Sequence, residues 1–436
     1  MSTISSQQLP DGMDAPANAE SRYGQRAAWI AWSAASLFLV YQVLLQNSFS
    51  GMQGDVGRDL KLTTEDISLI ASIFFLTYAA MQIPAGVLID RFGTGWVLPP
   101  AILAVGAGVF VLAGAQSLSG ALAGRLIMGT AGSFSFLGVT AITNRRISSH
   151  RIGMATGLID FAFSLGAALA AISTLHLLIA FNEDWRLLLR WSALLSIPIA
   201  LICWFAIGRG KPESPRQTSL SPSFWSDFRA TLFNRRLIMI GLIYGGFIGP
   251  LLGLSGLWNV PLQEAFNRSR EDASTFTTCM LIGIMIGAPT CGAIADRIER
   301  YIPFLVGGLI LTVVSIYPLI YVSTPGPYWL VLSQFVILGI GLSPGVLCFP
   351  LACREVDRRT AGMASAVVNC IGLLTAGAFQ FLPGEFIGDT KANELPILQE
   401  GLAIFVIWPL LGLGLILILY KNQMRYLSAL SRRTGS

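Results

Sequence analysis

RRISSHRIGMATGLID, residues 145–160, and REVDRRTAGMASAVVN, residues 354–369, are two copies of one stretch of sequence. The copies align without a gap at an offset of 209 residues, which pairs Asp160 with Asn369. The same offset pairs Arg125 with Gln334 further upstream. Because a repeat at a fixed long offset indicates a duplicated architecture, the chain is predicted to consist of two related halves.

The composition indicates a membrane protein. Of the 436 residues, 53% are hydrophobic and 12% are charged, about half the charged fraction of ~25% in soluble domains. Uncharged runs such as residues 96–115 are long enough to cross about 30 Å of hydrocarbon as a helix. A soluble fold would leave such runs exposed as large apolar faces.

The hydrophobic runs predict twelve transmembrane helices and no strands, in two six-helix repeats. The runs begin near Ala27, Ile67, Trp96, Leu118, Ile152, Leu187, Leu237, Ala273, Ile302, Tyr328, Thr360 and Leu402. The predicted parts are an N-terminal tail (1–26), a first bundle (27–207), a linker (208–236), a second bundle (237–421) and a C-terminal tail (422–436). The apolar residues at helical spacing in 224–232 fit a short interfacial helix, and a disordered linker is the alternative.

The distribution of Lys and Arg predicts the orientation. With both termini in the cytoplasm, 21 of the 29 basic residues lie on the cytoplasmic side and 7 on the outer side. Cytoplasmic loops of membrane proteins carry such an excess. The net charge of +5 therefore reflects topology, and no nucleic-acid partner is expected. The lipid bilayer and a small solute are the expected partners of a chain that works as a monomer.

Three motifs carry a resemblance to a known family. GVLIDRFG at residues 86–93 follows the second span, GAIADR at 292–297 is a weaker second copy, and RLIMGTAG at 125–132 opens the fourth span. On a twelve-span repeat, these motifs resemble those of the major facilitator superfamily from about Ala27 to about Lys421. The resemblance implies a transporter with two halves that alternate around a central site. The basic residues that usually close the first motif are replaced by residues 94–96, TGW.

The resemblance implies a cytoplasmic gate at the motif residues Gly86, Asp90, Arg91, Asp296 and Arg297. Asp90 is expected to face the start of the eleventh span when that side is closed. An anion there gains from the unpaired N–H groups of the helix N-terminus. The alternative is an ordinary turn capped by Asp90 beside an Arg that serves topology alone.

Two ionisable residues are predicted to lie inside spans, where a charge is costly and usually functional. Arg125, in the fourth span, favours an anionic substrate or a part in proton transfer, and a structural Arg bound to backbone carbonyls of the first span is the alternative. Asp160, in the fifth span, is a candidate for proton coupling, because burial penalises its charged form. Its neutral repeat partner Asn369 suggests a shared structural role instead.

The substrate cavity is expected between the first, fourth, seventh and tenth spans. Polar and aromatic residues within these apolar runs are the candidates for its lining, because solute sites place a few polar groups among apolar ones. The candidates are Tyr41, Gln42, Gln46, Asn47, Arg125, Phe136, Tyr244, Trp258, Asn259 and Gln334.

Other functional classes are disfavoured. The six Cys show no metal-ligand spacing, and two His are too few for a metal site or a hydrolytic triad. No phosphate-binding glycine loop points to ATP. The sequence thus predicts a secondary transporter, not an enzyme, with no cofactor, in a bacterial-type inner membrane. Proton-coupled uptake by symport is favoured, export of a metabolite or drug-like compound is the alternative, and a receptor without net flux is a third.

Overall fold

The computed structural model describes residues 24–148, 151–208, 229–298, 300–322, 326–356, 360–388 and 395–434. Within these residues the chain is helical, without strands, and twelve helices are long and apolar enough to span a membrane. The predicted fold class is confirmed. The predicted linker helix falls mostly on residues 209–228, which lie outside the described part of the chain.

The spans are numbered in chain order. The first half contains α1 (Gln25–Leu60), α2 (Thr64–Phe92), α3 (Thr94–Ala113), α4 (Leu118–Arg146), α5 (Ile152–Ala180) and α6 (Trp185–Ile207). The second half contains α7 (Arg235–Ala265), α8 (Arg270–Ile298), α9 (Ile302–Tyr321), α10 (Tyr328–Arg354), α11 (Ala361–Ile387) and α12 (Leu395–Leu419). Twelve crossings bring both ends of the bundle to one side, here called the terminal face. The other side is the distal face.

Local signals set the helix ends at the distal face. Thr63 and Asp66 form a capping box before α2, in which the backbone N–H of Asp66 donates to Thr63 Oγ1 at 3.0 Å and the N–H of Thr63 donates to Asp66 Oδ2 at 3.1 Å. Asp184 accepts the N–H of Leu187 at 2.9 Å and caps α6. Such caps satisfy N–H groups that the first helical turn leaves free.

Two spans depart from regular α-helix near the centre of the molecule. In α7 a π-helical turn, Leu254–Trp258, follows Pro250. In α10 a 3₁₀ turn, Ser343–Leu347, contains Pro344. Proline removes one backbone hydrogen bond and crowds the preceding turn, so a local change of helical pitch at these positions has a direct cause.

The two halves meet along α2 with α11 and α5 with α8, while α1 contacts the π turn of α7. These contacts reach from the distal face to the level of Cys370, whose Sγ lies 3.7 Å from the Ala79 carbonyl oxygen. Closer to the terminal face the halves diverge. Apart from the neighbouring backbone of the glycine's own helix, no described atom lies within 4 Å of where a Cβ on Gly86, Gly292 or Gly362 would be. The structure is therefore closed at the distal face and open towards the terminal face.

Glycines allow close helix crossings inside each half. A Cβ on Gly339 of α10 would overlap the Met280 carbonyl oxygen of α8 and lie 3.0 Å from Gly283. Gly307 of α9, in contrast, is exposed and has open space around its Cβ position.

Gly339→Val is expected to lower the thermal unfolding temperature of the purified protein, because a side chain forced into a packed crossing costs about 1–3 kcal/mol. Gly307→Val is the matched control and should unfold close to the wild type. Tryptophan fluorescence during a thermal ramp in detergent measures both. Equal unfolding temperatures for the two variants would contradict this description of the crossing.

Candidate functional site

A cavity of about 140 Å³ lies between the two halves, and eight spans contribute to its lining. Its polar lining consists of Gln42, Gln46, Tyr78, Asp160, Ser164, Tyr244, Ser343 and Asn369. Aromatic rings account for much of the rest: Phe75, Phe136, Phe163, Phe247 and Phe349. The irregular turn of α10 lies at this level, since Ser343 and Gly345 line the cavity, whereas the irregular turn of α7 begins two residues after the lining residue Leu252.

The repeat partners Asp160 and Asn369 both line this cavity, one from each half. Asp160 forms no hydrogen bond or ion pair with any residue that the structure describes. Its carboxylate is an electrostatic neighbour of the Tyr244 phenol, which belongs to the other half. Asp160 thus lies at the cavity with its carboxylate unpaired among the described residues.

The glutamines of α1 form a connected polar edge of the cavity. Gln42 Nε2 donates to Gln46 Oε1 at 2.9 Å, and the Ser135 hydroxyl donates to Gln42 Oε1 at 3.0 Å. Because these partners hold the amides in place, the first half offers oriented polar groups to a solute.

Only some of the residues predicted to line the cavity do so. Gln46, Tyr244, Asp160 and Asn369 line it, as do Gln42 and Phe136. Sequence reasoning missed the contributions of α2, α5, α8 and α11 as a set, such as Tyr78, Phe163 and Ile284. The repeat contained a signal for two of these helices, because the pair Asp160 and Asn369 lies on α5 and α11.

The other predicted lining residues point elsewhere. The Tyr41 hydroxyl donates to the Ser192 carbonyl at 2.8 Å. Trp258 Nε1 donates to the carbonyls of Phe379 at 3.0 Å and Gln380 at 3.2 Å, which ties α7 to α11. These hydrogen bonds connect different helices, so the structure gives Tyr41 and Trp258 a packing role.

Asn47, Asn259 and Gln334 also lie outside the central lining. Asn47 borders a small cavity nearer the distal face, and Gln334 borders a separate pocket within the second half. Asn259 Nδ2 donates to the Ala273 carbonyl at 2.7 Å and so joins α7 to α8.

Arg125 is buried in the first half, away from the central lining. Its Nε donates to the Ile70 carbonyl at 3.2 Å, and its guanidinium carbon lies 5.0 Å from the ring centres of both Phe49 and Phe74. The structural alternative is met in part, because one carbonyl, from α2 rather than α1, accepts a bond, while Nη1 is buried without a hydrogen-bond partner among the described residues. The Arg125 contacts join α1, α2 and α4.

Arg125→Lys is expected to lower the thermal unfolding temperature, because an ammonium group cannot lie against two rings and a carbonyl in the same way. Each cation–π contact contributes about 0.5–2 kcal/mol. Gln334→Leu, at the repeat-related position, is the control and should change stability less. An Arg125→Lys protein of wild-type stability would contradict the structural role.

In this structure the predicted gate residues lie at the open, terminal face of the bundle. Asp90 forms an ion pair with Arg145 of α4, within its own half. Arg91 and Arg297 are exposed, and the Asp296 side chain lies outside the described residues. The expected approach of Asp90 to α11 belongs to the closed state and stays a prediction.

An ion-pair network closes the distal face, and sequence reasoning did not identify it. Asp55 of α1 is 8% exposed, and its Oδ2 lies 3.1 Å from Arg270 Nη1 of α8. Arg270 Nε also binds Glu264 Oε1 at 2.9 Å, and Arg58 pairs with Asp55. Nearby, Gln53 Nε2 donates to the Leu257 carbonyl at 2.8 Å. The Asp55–Arg270 and Gln53–Leu257 bonds join the halves and are lost if the distal side opens.

Known proteins were compared with the sequence and the fold. The model of the Major Facilitator Superfamily matches residues 27–379. The chain belongs to the Major Facilitator Superfamily. Membrane transport is accordingly its function, rather than catalysis, and the resemblance predicted from the sequence is confirmed.

Curated relatives are distant but cover most of the chain. It is 23% identical to the nitrite extrusion protein of Bacillus subtilis, over 87% of this chain and 94% of the relative. It is 24% identical to a probable nitrate transporter, NarT, of Staphylococcus haemolyticus, over 89% of this chain and 96% of the relative.

Solved structures share the fold at low sequence identity. A bacterial homologue of the human lysosomal transporter Spinster, in an inward-facing and unoccupied conformation, is 15% identical with a TM-score of 0.72. That likeness covers 90% of this chain and 96% of the homologue. The nucleoside transporter NupG is 15% identical with a TM-score of 0.65, over 89% of this chain and 98% of NupG.

Asp55→Asn is expected to shift the protein towards a distal-open state, because it removes the charge that joins α1 to α8. A loss of about 1.4 kcal/mol changes a two-state ratio about tenfold. The measurement is labelling of Ser274→Cys, next to the network on α8, by a membrane-impermeant maleimide in oriented vesicles. The introduced thiol should react several-fold faster in the Asp55→Asn background.

Glu271→Gln is the matched control for this experiment. It removes an acid from an exposed position on the same end of α8, where no cross-half ion pair is formed among the described residues. Its labelling rate should stay at the wild-type value. Equal rates in both backgrounds would show that the network does not hold the distal face closed.

Proposed function

We propose that this transporter carries a small organic solute across the bacterial inner membrane by alternating access and couples the movement to protons at Asp160. The observation that supports this proposal is the cavity between the halves, in which Asp160 has no protein partner among the described residues. With the termini in the cytoplasm, as the Lys and Arg distribution predicts, the described state is open to the cytoplasm.

The size of the cavity supports a small solute. An engineered cavity of ~150 Å³ in another protein holds one benzene molecule, and this cavity measures about 140 Å³. A solute of one ring, or of similar bulk, fits the described state.

The charge of the lining does not favour the anionic substrate suggested by Arg125. Among the described residues of the lining there is no Lys, Arg or His. An anion moved out of water needs a compensating positive group. The nitrate and nitrite named for the relatives are therefore not carried over to this chain.

The direction of transport depends on what Asp160 binds. In symport, which the sequence favoured, the acid holds a proton while a separate group holds the solute. In export by exchange, the same acid releases its proton to bind the solute. Both use the described cavity and require no cofactor.

Reconstitution into liposomes is the experiment that tests the function. Radiolabelled amines, nucleosides, sugars, carboxylates and nitrate are offered with and without an imposed pH gradient. Saturable flux of one class that responds to the gradient is the expected result. Saturable binding without flux of any class would overturn the proposal and identify a receptor.

Asp160→Asn is expected to abolish the response of flux to the pH gradient and to leave the fold intact, because asparagine has nearly the same shape but cannot exchange a proton. Glu385→Gln, which changes an exposed acid at the distal end of α11, should behave as the wild type. If Asp160→Asn keeps the full pH response, the coupling site lies elsewhere.

A further inference from the structure

The two halves contribute unequal chemistry to the cavity. From Arg125 onward, where the repeat offset is 209, lining residues form three pairs, which are Phe136 with Gly345, Asp160 with Asn369 and Ser164 with Leu373. Upstream, at the offset of 206 that relates Gly86 to Gly292, they form three more, which are Gln42 with Ile248, Gln46 with Leu252 and Tyr78 with Ile284. In every one of these pairs that contains a polar side chain, the more polar member belongs to the first half. Since the backbone is duplicated, this difference lies in the side chains alone. The first half carries the acid and most of the polar groups, and the second half, which also contributes Tyr244, Ser343 and Asn369, is the more apolar side.

Helical spacing places the polar groups of the first half together. Asp160 and Ser164 are one turn apart on α5 and share a face, as do Asn369 and Leu373 on α11. A polar group bound by the Asp160 carboxylate also meets a hydroxyl at Ser164. The corresponding turn of α11 offers an amide and then a branched alkyl group.

Asp160 supplies the charge of this cavity among the described lining residues. The titratable groups that face it across the cavity are the phenols of Tyr78 on α2 and Tyr244 on α7, which are neutral near pH 7. The described residues of α1, α4 and α8, which pack against α5, add no charged group to the lining. A deprotonated Asp160 thus has no positive partner among the residues that the structure describes.

Aromatic rings surround the remaining space. Tyr244 and Phe349 of the second half meet edge to face with ring centres 5.0 Å apart, and Phe247 lies beside them in the lining. Phe136 and Phe163 line the cavity from the first half. Rings of this kind hold apolar groups by burial and attract cations through their faces.

We propose that the cavity binds an amphipathic organic monocation, with its charged nitrogen at Asp160 and its apolar body against the second half, and exchanges it for a proton. This proposal rests on the proposed function and names its substrate class. The carboxylate compensates the charge of the cation, and the apolar body displaces water from Phe247 and Phe349.

The single carboxylate dictates the mode of coupling. A proton leaves Asp160 as the cation binds, and a proton returns when the cation leaves on the other side. One positive charge moves each way, so the exchange is electroneutral. Under an inward proton gradient the cation is exported, which replaces the symport favoured from the sequence.

Binding of a matched ligand series by the purified full chain provides the first test. The probes are benzyltrimethylammonium, benzyl alcohol, benzoate and nitrate, measured by thermal shift. Benzyltrimethylammonium should stabilise the protein most, and its effect should weaken as the pH is lowered because protons compete for Asp160. Asp160→Asn should weaken its binding at least tenfold, and Glu385→Gln should not change it.

Relocation of the acid tests the asymmetry of the halves. The double variant with Asp160→Asn and Asn369→Asp carries one carboxylate in the same cavity but places it beside Leu373. Its affinity for benzyltrimethylammonium should stay several-fold below that of the wild type. Full recovery would show that any carboxylate in the cavity suffices and would overturn the assignment of the charged end to the first half.

Exchange is measured in liposomes that contain benzyltrimethylammonium and a pH-sensitive dye. Acidification outside should drive the cation out and protons in at a ratio of one to one, at a rate that a potassium-diffusion potential does not change. Tighter binding of benzoate or nitrate would overturn the substrate class, and flux of those anions would leave transport itself intact. Cation binding in the expected order without flux of any solute would instead overturn exchange and the proposed function together.

Discussion

The hydrocarbon interior of a bilayer offers no water, so each backbone N–H and C=O group within it must be satisfied by the protein. This constraint explains why the described chain is helical throughout its spans. It also explains where irregular backbone is found. The 3₁₀ turn of α10 lies at the central cavity, and the π turn of α7 is buried within the protein, so neither irregular turn faces lipid.

The same constraint makes ionisable groups inside the spans informative, because a charge there is costly. Arg125 is enclosed by two rings and one carbonyl, while its Nη1 is buried without a hydrogen-bond partner among the described residues. Asp160 lies on a cavity without such partners. Both residues are ionisable groups inside spans, but their surroundings differ. One holds three helices together, and the other is left available to whatever enters the space between the halves.

The sequence predicted the twelve spans, the duplication and the family, because span length, composition and repeat offset are properties of the chain alone. It also identified Asp160 and Asn369, since the repeat paired an acid with its neutral isostere. It did not predict which way the single polar residues of α1, α4 and α10 point. A shift of one residue turns a helical side chain by about 100°, so span membership alone did not distinguish Gln46 in the cavity from Asn47 outside it. The distal network was missed for a related reason, because Asp55 and Arg270 lie 215 residues apart and meet only through the packing of the halves.

Substrate choice in such a duplicated transporter is separable from its fold. The backbone that allows the halves to rock is shared with relatives at 23–24% identity, whereas the charge at the centre depends on a handful of side chains. Under the proposed assignment, a central cavity that carries a carboxylate and no described cation selects against nitrate, however similar the surrounding helices are. The repeat pairs make the same point within one chain, because one half keeps the acid, the hydroxyl and the phenol while the other carries their uncharged or apolar counterparts at the same positions. Such divergence between the halves lets a symmetric scaffold bind an asymmetric solute in one orientation.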